Sequence, residues 1–372
     1  MEIKGIKYIS PIFDLSGYGQ ASRGYVLALH RMGIPLTLSP VSFESVKTDF
    51  GKNGEILRSL VNKPIDYNVV IIHLTPEHWP RFCEIGKRNV GYCVWETSLL
   101  HPTWSGYING NVEACMVSCE WNVEVYKNSG VTVPVFSVPH GIDMLEYNDI
   151  EPYTVKGVDP EAYKFYSIAQ FTERKNPTAL LYSYWAAFCK GENVALIFKT
   201  YKDGFDEKSK KDLRDIINVF KGMIVLDQYP PVYIIQSPLD RKEILGLHKF
   251  GDCCVSLDRG EGFGLTPFEA GAVGNPIIVT GMGGSLEYAK PDNSYLVDHT
   301  MTPVFGMNFI PWYRGDQMWA EPNCANAIEL MKYVYNNRDK AKVRGDLLKK
   351  YIANNLTWEH VGQKMLNFLR SL

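Results

Sequence analysis

The sequence predicts an α/β protein made of two doubly wound parallel sheets. Three observations carry that reading. Short, almost uninterrupted apolar segments recur along the chain between stretches of helical periodicity, the pattern of strands covered on both faces. The alternation lapses once, in a polar stretch beginning at Glu146, and then resumes. The chain has 372 residues, enough for two domains that each bury a core.

In the first half, Ile6–Pro11 reads as a strand and Gln20–Met32 as a helix with Val26, Leu29 and Met32 on one face. Strands follow at Pro35–Val41, Asn68–Leu74, Asn89–Trp95, Ala114–Ser118 and Val133–Val138, with a helix at Glu120–Asn128 among them. Residues 1–145 form the expected first domain. The run from Glu146 to Asp159 carries a proline, a glycine and several acids, and residues 146–162 read as a linker. A second domain, 163–354, follows. Its strands are expected at Lys164–Phe171, Val194–Tyr201, Met223–Asp227, Cys253–Asp258 and Pro276–Thr280. Its helices are expected at Pro177–Cys189, Lys208–Phe220, Arg241–Lys249 and Thr266–Val273. Residues 355–372 form a last helix, with Thr357 as its N-cap.

Composition narrows the function. A formal net charge of −2 excludes nucleic-acid binding through overall positive charge and leaves only a local basic groove. No apolar run approaches the roughly 20 residues of a membrane helix, and Met1-Glu2-Ile3-Lys4 lacks a secretion-signal core. The expected location is the cytoplasm. Most of the eight cysteines sit in apolar surroundings and read as small buried hydrophobes. Cys115 and Cys119 are spaced C-x3-C but have no second Cys or His pair nearby, and no carboxylate pair completes a ligand set for His73 and His78. The lysines at 208, 210 and 211, and those between 340 and 350, read as solvated helix faces.

The most informative stretch is Glu261-Gly262-Phe263-Gly264-Leu265-Thr266-Pro267-Phe268-Glu269. It reads as a glycine-rich turn leading from a strand into a helix, whose unpaired amides suit a phosphate. Two glutamates bracket that turn. With this spacing the chain resembles the retaining glycosyltransferases of family 4, which have the GT-B fold and an E-x7-E motif. The resemblance implies two Rossmann-like domains facing a cleft and a C-terminal helix crossing back to the N-terminal domain. It implies that Glu261 contacts a donor sugar, that Gly262, Phe263, Gly264, Leu265 and Thr266 hold sugar and diphosphate, and that Glu269 binds the ribose.

Further segments match the family in order. Asp14-Leu15-Ser16-Gly17-Tyr18-Gly19 resembles its N-terminal glycine loop, placing Gly17, Tyr18 and Gly19 near the donor. Val138-Pro139-His140-Gly141-Ile142-Asp143 resembles its domain-junction segment and puts His140 on the acceptor side. The stretch from Ile168 to Asn176 resembles the segment that neutralises the diphosphate. There Lys175 matches the family's lysine, Gln170 stands where an arginine is usual, and Arg174 is the candidate substitute. Trp95 and Glu96 stand where many relatives place a histidine. As an aromatic beside an acid they suit an acceptor hydroxyl, while a core aromatic and a capping acid remain the alternative.

The resemblance implies a retaining transferase with Glu261 and Lys175 as catalytic residues. Glu96, where relatives have a histidine, is the third catalytic candidate. Because no D-x-D motif stands at a strand end, the reaction is expected to be metal-independent and cofactor-free. Its donor would be a nucleotide-diphosphate sugar, UDP ahead of GDP, with the base near Tyr201 and the Asp227–Tyr229 segment. Its acceptor would be a glycan or lipid-linked hydroxyl. The alternatives are transfer to a hydroxylated DNA base and a non-catalytic nucleotide-sugar-binding protein. The aromatic stretches Ile310–Tyr313 and Trp319–Pro322 read either as site wall or as packing.

Overall fold

The computed structural model describes residues 2–42 and 50–372. The chain divides into two compact units, one running to Asp143 and resuming at Asn354–Leu372, the other Met144–Ala353. In the first unit the order is β1 (Ile6–Ser10), α1 (Gly17–Arg31), β2 (Leu36–Pro40), α2 (Gly51–Leu60), β3 (Val69–His73) and α3 (Trp79–Phe82). Then come β4 (Arg88–Tyr92), α4 (Pro102–Asn111), β5 (Ala114–Val117), α5 (Glu120–Asn128) and β6 (Val135–Ser137). All six strands are parallel, in the order β2-β1-β3-β4-β5-β6. Every side chain of β3 and β5 is buried, which is why these segments read as continuous apolar runs.

The second unit opens with β7 (Tyr163–Gln170), α6 (Pro177–Ala187), β8 (Val194–Tyr201), α7 (Glu207–Met223), β9 (Val232–Ile235), α8 (Arg241–Phe250) and β10 (Cys253–Ser256). It continues with α9 (Leu265–Val273), β11 (Ile277–Thr280), β12 (Tyr295–Val297), an antiparallel hairpin of β13 (His299–Pro303) and β14 (Met318–Pro322), then α10 (Cys324–Asn336) and α11 (Arg338–Asn355). Its parallel sheet has the order β12-β11-β10-β7-β8-β9. That is the dinucleotide-fold order, and it reverses direction between β7 and β10, where α/β sheets bind ligands at their carboxyl ends. One face carries Phe165, Leu196 and Phe198 against α6, α7 and α10. The other carries Tyr166, whose hydroxyl meets His248 Nδ1 of α8 at 2.9 Å and Asn275 Nδ2 at 3.0 Å.

The last helix, α12 (Trp358–Ser371), lies on α1 of the first unit, capped by the Thr357 hydroxyl as expected. Val361, Met365 and Leu369 enter the first core, and Ile142 bridges to Thr357. Gly24 admits the Trp358 ring: a Cβ there would come within 1.9 Å of it.

The structure corrects two elements. Met223–Asp227 is not a strand. Helix α7 runs on to Met223, and the edge strand is Val232–Ile235, immediately after the Pro230-Pro231 pair. Gly17, Tyr18 and Gly19 are not a loop either. Ser16 accepts from Gly19 N at 3.2 Å, and α1 therefore starts at Gly17, three residues ahead of the expected Gln20. The lysine clusters are paired as solvated faces are, Lys210 with Glu207 and Lys211 with Asp215. None of the eight cysteines is in a disulfide among the described residues. Among the described residues, no helix is long and apolar enough to cross a membrane, and no three His, Cys, Asp or Glu side chains are grouped to hold a metal.

Candidate active site

The second unit's site is built on the loops that follow β7 and β10, the pair of strands between which the sheet order reverses. After β7, the turn Thr172–Asn176 closes through Lys175 N and Asn176 N, both donating to Thr172 O at 3.1 Å. Asn176 takes a left-handed conformation (φ 47°) and caps α6 through Ala179 N. The turn places Arg174 and Lys175 beside the second loop. After β10, Glu261 O accepts from Gly284 N at 2.7 Å. Gly264 (φ 81°) then turns the chain into α9, where any Cβ would fall within 2.6 Å of Ser285 Oγ. Phe268 N makes the first bond of the helix, to Gly264 O at 3.2 Å, so the Leu265 and Thr266 amides precede the helical ladder. The Thr266 hydroxyl donates to Ile168 O of β7 at 2.9 Å and joins the two loops.

These loops bring the sequence-predicted residues into contact. Lys175 Nζ pairs with Glu261 Oε1 and lies 3.7 Å from Asp258 Oδ1. Arg174 Nη1 donates to Gly260 O at 2.8 Å and is 3.3 Å from Glu261 Oε1. Two cations therefore face two carboxylates in a part-buried cluster. Gln170 stands apart from it, donating to Lys202 O at 3.0 Å. The Phe263 side chain is buried against Phe268 and Tyr288.

Glu269, one turn further along α9, is buried between two partners that the sequence did not reveal. Arg241 Nη1, at the start of α8, donates to Glu269 Oε1 at 2.6 Å, and His248 Nε2 lies 3.4 Å from Oε2. Arg241 also reaches the Tyr147 hydroxyl at 2.9 Å and Glu146 at 3.1 Å. Burial works to raise the Glu269 carboxyl, but the charge of Arg241 and the hydrogen bonds outweigh it and hold the group at about 2.

A further missed carboxylate, Glu321 of β14, braces both loops. It accepts from Arg259 Nε at 2.5 Å and from Asn176 Nδ2 at 3.3 Å. The neighbouring aromatic stretches pack together: Ile310 and Tyr313 rest on a small cluster of Val304, Met307 and Trp319. Tyr229 likewise packs on Trp185 and donates to Lys221 O, so it belongs to the core side of the sheet.

In the first unit, the residues expected on the acceptor side divide. Glu96 is part-buried and close enough to act electrostatically on Tyr18. The Tyr18 hydroxyl accepts from Val94 N at 3.2 Å, and its ring lies 5.2 Å from His73. His140 is buried, its Nδ1 3.1 Å from the Tyr25 hydroxyl, and burial pulls its pKa down to about 3, leaving it neutral. Trp95 requires a correction. It is only 4% exposed and meets Trp104 edge-on at 4.7 Å. Its Nε1 donates to Thr97 Oγ1 at 2.7 Å and Leu99 O at 2.8 Å, while Asn122 brackets its backbone. It is a core residue and offers no open face for stacking. Trp95→Ala is accordingly expected to lower unfolding free energy by about 3–5 kcal/mol, the usual cost of emptying a buried tryptophan site. Urea denaturation checks this, and a loss below about 1 kcal/mol would contradict the core assignment.

No protein-family profile matches the chain. A curated protein of Sulfolobus islandicus rod-shaped virus 1, "Uncharacterized protein 356", is 23% identical over 286 residues, 75% of each chain. Several solved structures superimpose over nearly the full length. Sucrose-phosphate synthase from Thermosynechococcus elongatus matches with a TM-score of 0.69 at 13% identity, covering 99% of this chain and 98% of that one. Anabaena HepE, solved in complex with UDP-glucose, matches with a TM-score of 0.65 at 12% identity over the whole of both chains. A glycosyltransferase from Rickettsia africae matches with a TM-score of 0.65 at 14% identity, covering 100% and 99%. With two six-stranded parallel sheets and these neighbours, the chain has the GT-B fold.

Proposed function

We propose that this protein is a retaining glycosyltransferase that moves a sugar from a nucleotide-diphosphate sugar, UDP before GDP, to a hydroxyl of a glycan or lipid-linked acceptor. The observation that carries the reading is the contact of Lys175 with Glu261 beside the unpaired amides of α9, where the second sheet reverses order. Helix-start amides and a lysine are suited to a diphosphate. When the sugar's C1–O bond breaks, negative charge grows on the departing phosphate oxygen, and Lys175 with the Leu265 and Thr266 amides stabilises it. The acceptor oxygen forms the new bond to C1 from the same face, and its proton passes to the departing phosphate. Glu261 orients the donor sugar, Glu269 the ribose, and Glu96 the acceptor hydroxyl. The anionic leaving group is met by protein cations and amides, so the reaction runs without a divalent metal and continues in EDTA.

The complex of Anabaena HepE with UDP-glucose supports testing UDP-sugars first. The experiment is incubation with a panel of UDP- and GDP-sugars, with NMR of the product anomer. Transfer or slow hydrolysis with retention is the expected result. An inverted product would overturn the retaining reading, and tight binding with no turnover would make the protein a nucleotide-sugar-binding module.

A further inference from the structure

Lys199 lies outside every motif above. It stands near the end of β8 and is 6% exposed. Its Nζ has two aromatic neighbours, the rings of Tyr201 at 5.7 Å and Phe205 at 5.4 Å, and no ion pair or hydrogen bond among the described residues. The other cations at this end of the sheet each face a carboxylate: Lys175 and Arg174 face Glu261, Arg241 faces Glu269, and Arg259 faces Glu321. A buried ammonium without a counter-ion is costly to keep charged, and burial pulls this one down to about 8. Cation–π contact offsets only part of that cost.

The register shows which face of the sheet carries this cation. Lys199 pairs with Ile168 of β7 and Ile235 of β9. Paired residues of a parallel sheet project to the same face, and residues two apart along a strand share it. Lys199 therefore shares its face with Ile168, Gln170 and Tyr166, the face on which Tyr166 meets α8. Ile168 is also the residue whose carbonyl takes the Thr266 hydroxyl, so Lys199 lies one strand spacing, about 5 Å, from the strand residue that anchors the first turn of α9. Diagonally beside it stands Gln170, which is neutral and turned toward Lys202 O.

We propose that Lys199 binds a phosphate oxygen of the nucleotide, acting with Lys175 and the amides at the start of α9 as the second cation of a diphosphate site. The proposal rests on the donor reading above. It assigns to β8 a charge that Gln170 lacks and that Arg174, engaged by Gly260 O and Glu261, does not supply.

The test is calorimetry of wild type and Lys199→Met with UDP, inorganic pyrophosphate and uridine, together with the melting temperature of each ligand-free protein. Methionine keeps the apolar stem and removes the charge. The variant is expected to bind UDP and pyrophosphate about tenfold or more weakly, the scale of a lost charged hydrogen bond. Uridine should stay within about twofold, and the ligand-free variant should melt no lower than wild type. Unchanged UDP affinity would overturn the proposal. So would an equal loss for uridine, which would place Lys199 on the base, or a lower ligand-free melting temperature with UDP affinity retained, which would make it structural. If wild type binds pyrophosphate but no nucleoside diphosphate, the donor reading falls while the role of Lys199 stands.

Discussion

Glu261→Gln is expected to reduce transfer by about a hundredfold or more, the scale of removing one oriented polar group from a transition state, while leaving UDP affinity equal to or tighter than wild type. Glu261 pairs with Lys175 directly and lies 3.3 Å from Arg174. An arriving diphosphate must compete for both cations and tolerate a carboxylate beside them. Glutamine keeps the shape, removes the competing charge and frees Lys175 for phosphate. The same change deprives the donor sugar of a charged acceptor, so UDP-sugar affinity should fall relative to UDP. Calorimetry with both ligands beside a transfer assay reads the three quantities. Wild-type turnover, or UDP binding weakened about tenfold, would show that Glu261 is a structural brace for the loop.

The second large effect concerns Arg241. Replacing it with methionine strips the 2.6 Å partner from a carboxylate that is almost wholly buried. Removing the charged partner of a buried carboxylate costs about 3–5 kcal/mol, with His248 remaining beside Glu269 and the exposed side of Arg241 placing the loss toward the lower figure. The sign of the pH dependence separates this account from simple loss of packing. In wild type, Glu269 is held at about 2, below its ordinary 4.5. Its contribution is therefore present above about 4.5 and is lost as pH falls toward 2. In Arg241→Met, burial dominates and raises the carboxyl above its unfolded value, so the folded protein takes up the proton first and the variant regains stability as pH falls. Melting temperatures between pH 6 and pH 4 should draw together, the variant's rising relative to wild type. Parallel curves would sink the charge argument.

How much of this was legible depended on how local each interaction is. The turn from Glu261 to Glu269 declares itself because its glutamates, glycines and helix start are contiguous. Lys175 was readable for the same reason. Arg241, Glu321 and Lys199 were not, since each acquires its role from a partner on another element: Arg241 from Glu269, Glu321 from Arg259 and Asn176, and Lys199 from its register with β7. Trp95 was ambiguous by its chemistry. An aromatic before an acid at a strand end looks the same whether it faces ligand or core, and only Thr97, Leu99, Trp104 and Asn122 decide. At α1 the signal was present, since Ser16 is a favoured cap, but the two glycines drew attention to a loop. The strand order that locates the second site at β7 and β10 lies in pairings with no local sequence signature.

The first unit is assembled from two separated stretches of chain, and the second from one. That arrangement has a consequence for synthesis. Domains generally fold as units as they emerge, and Met144–Ala353 emerges as one continuous piece, free to fold at once. The earlier stretch cannot finish, because Val361, Met365, Leu369 and the ring that covers Gly24 all belong to a helix translated after Ala353. The polypeptide made first is thus completed last, and until then the side of α1 that will receive Trp358 remains open to water and to the chaperones that attend nascent chains.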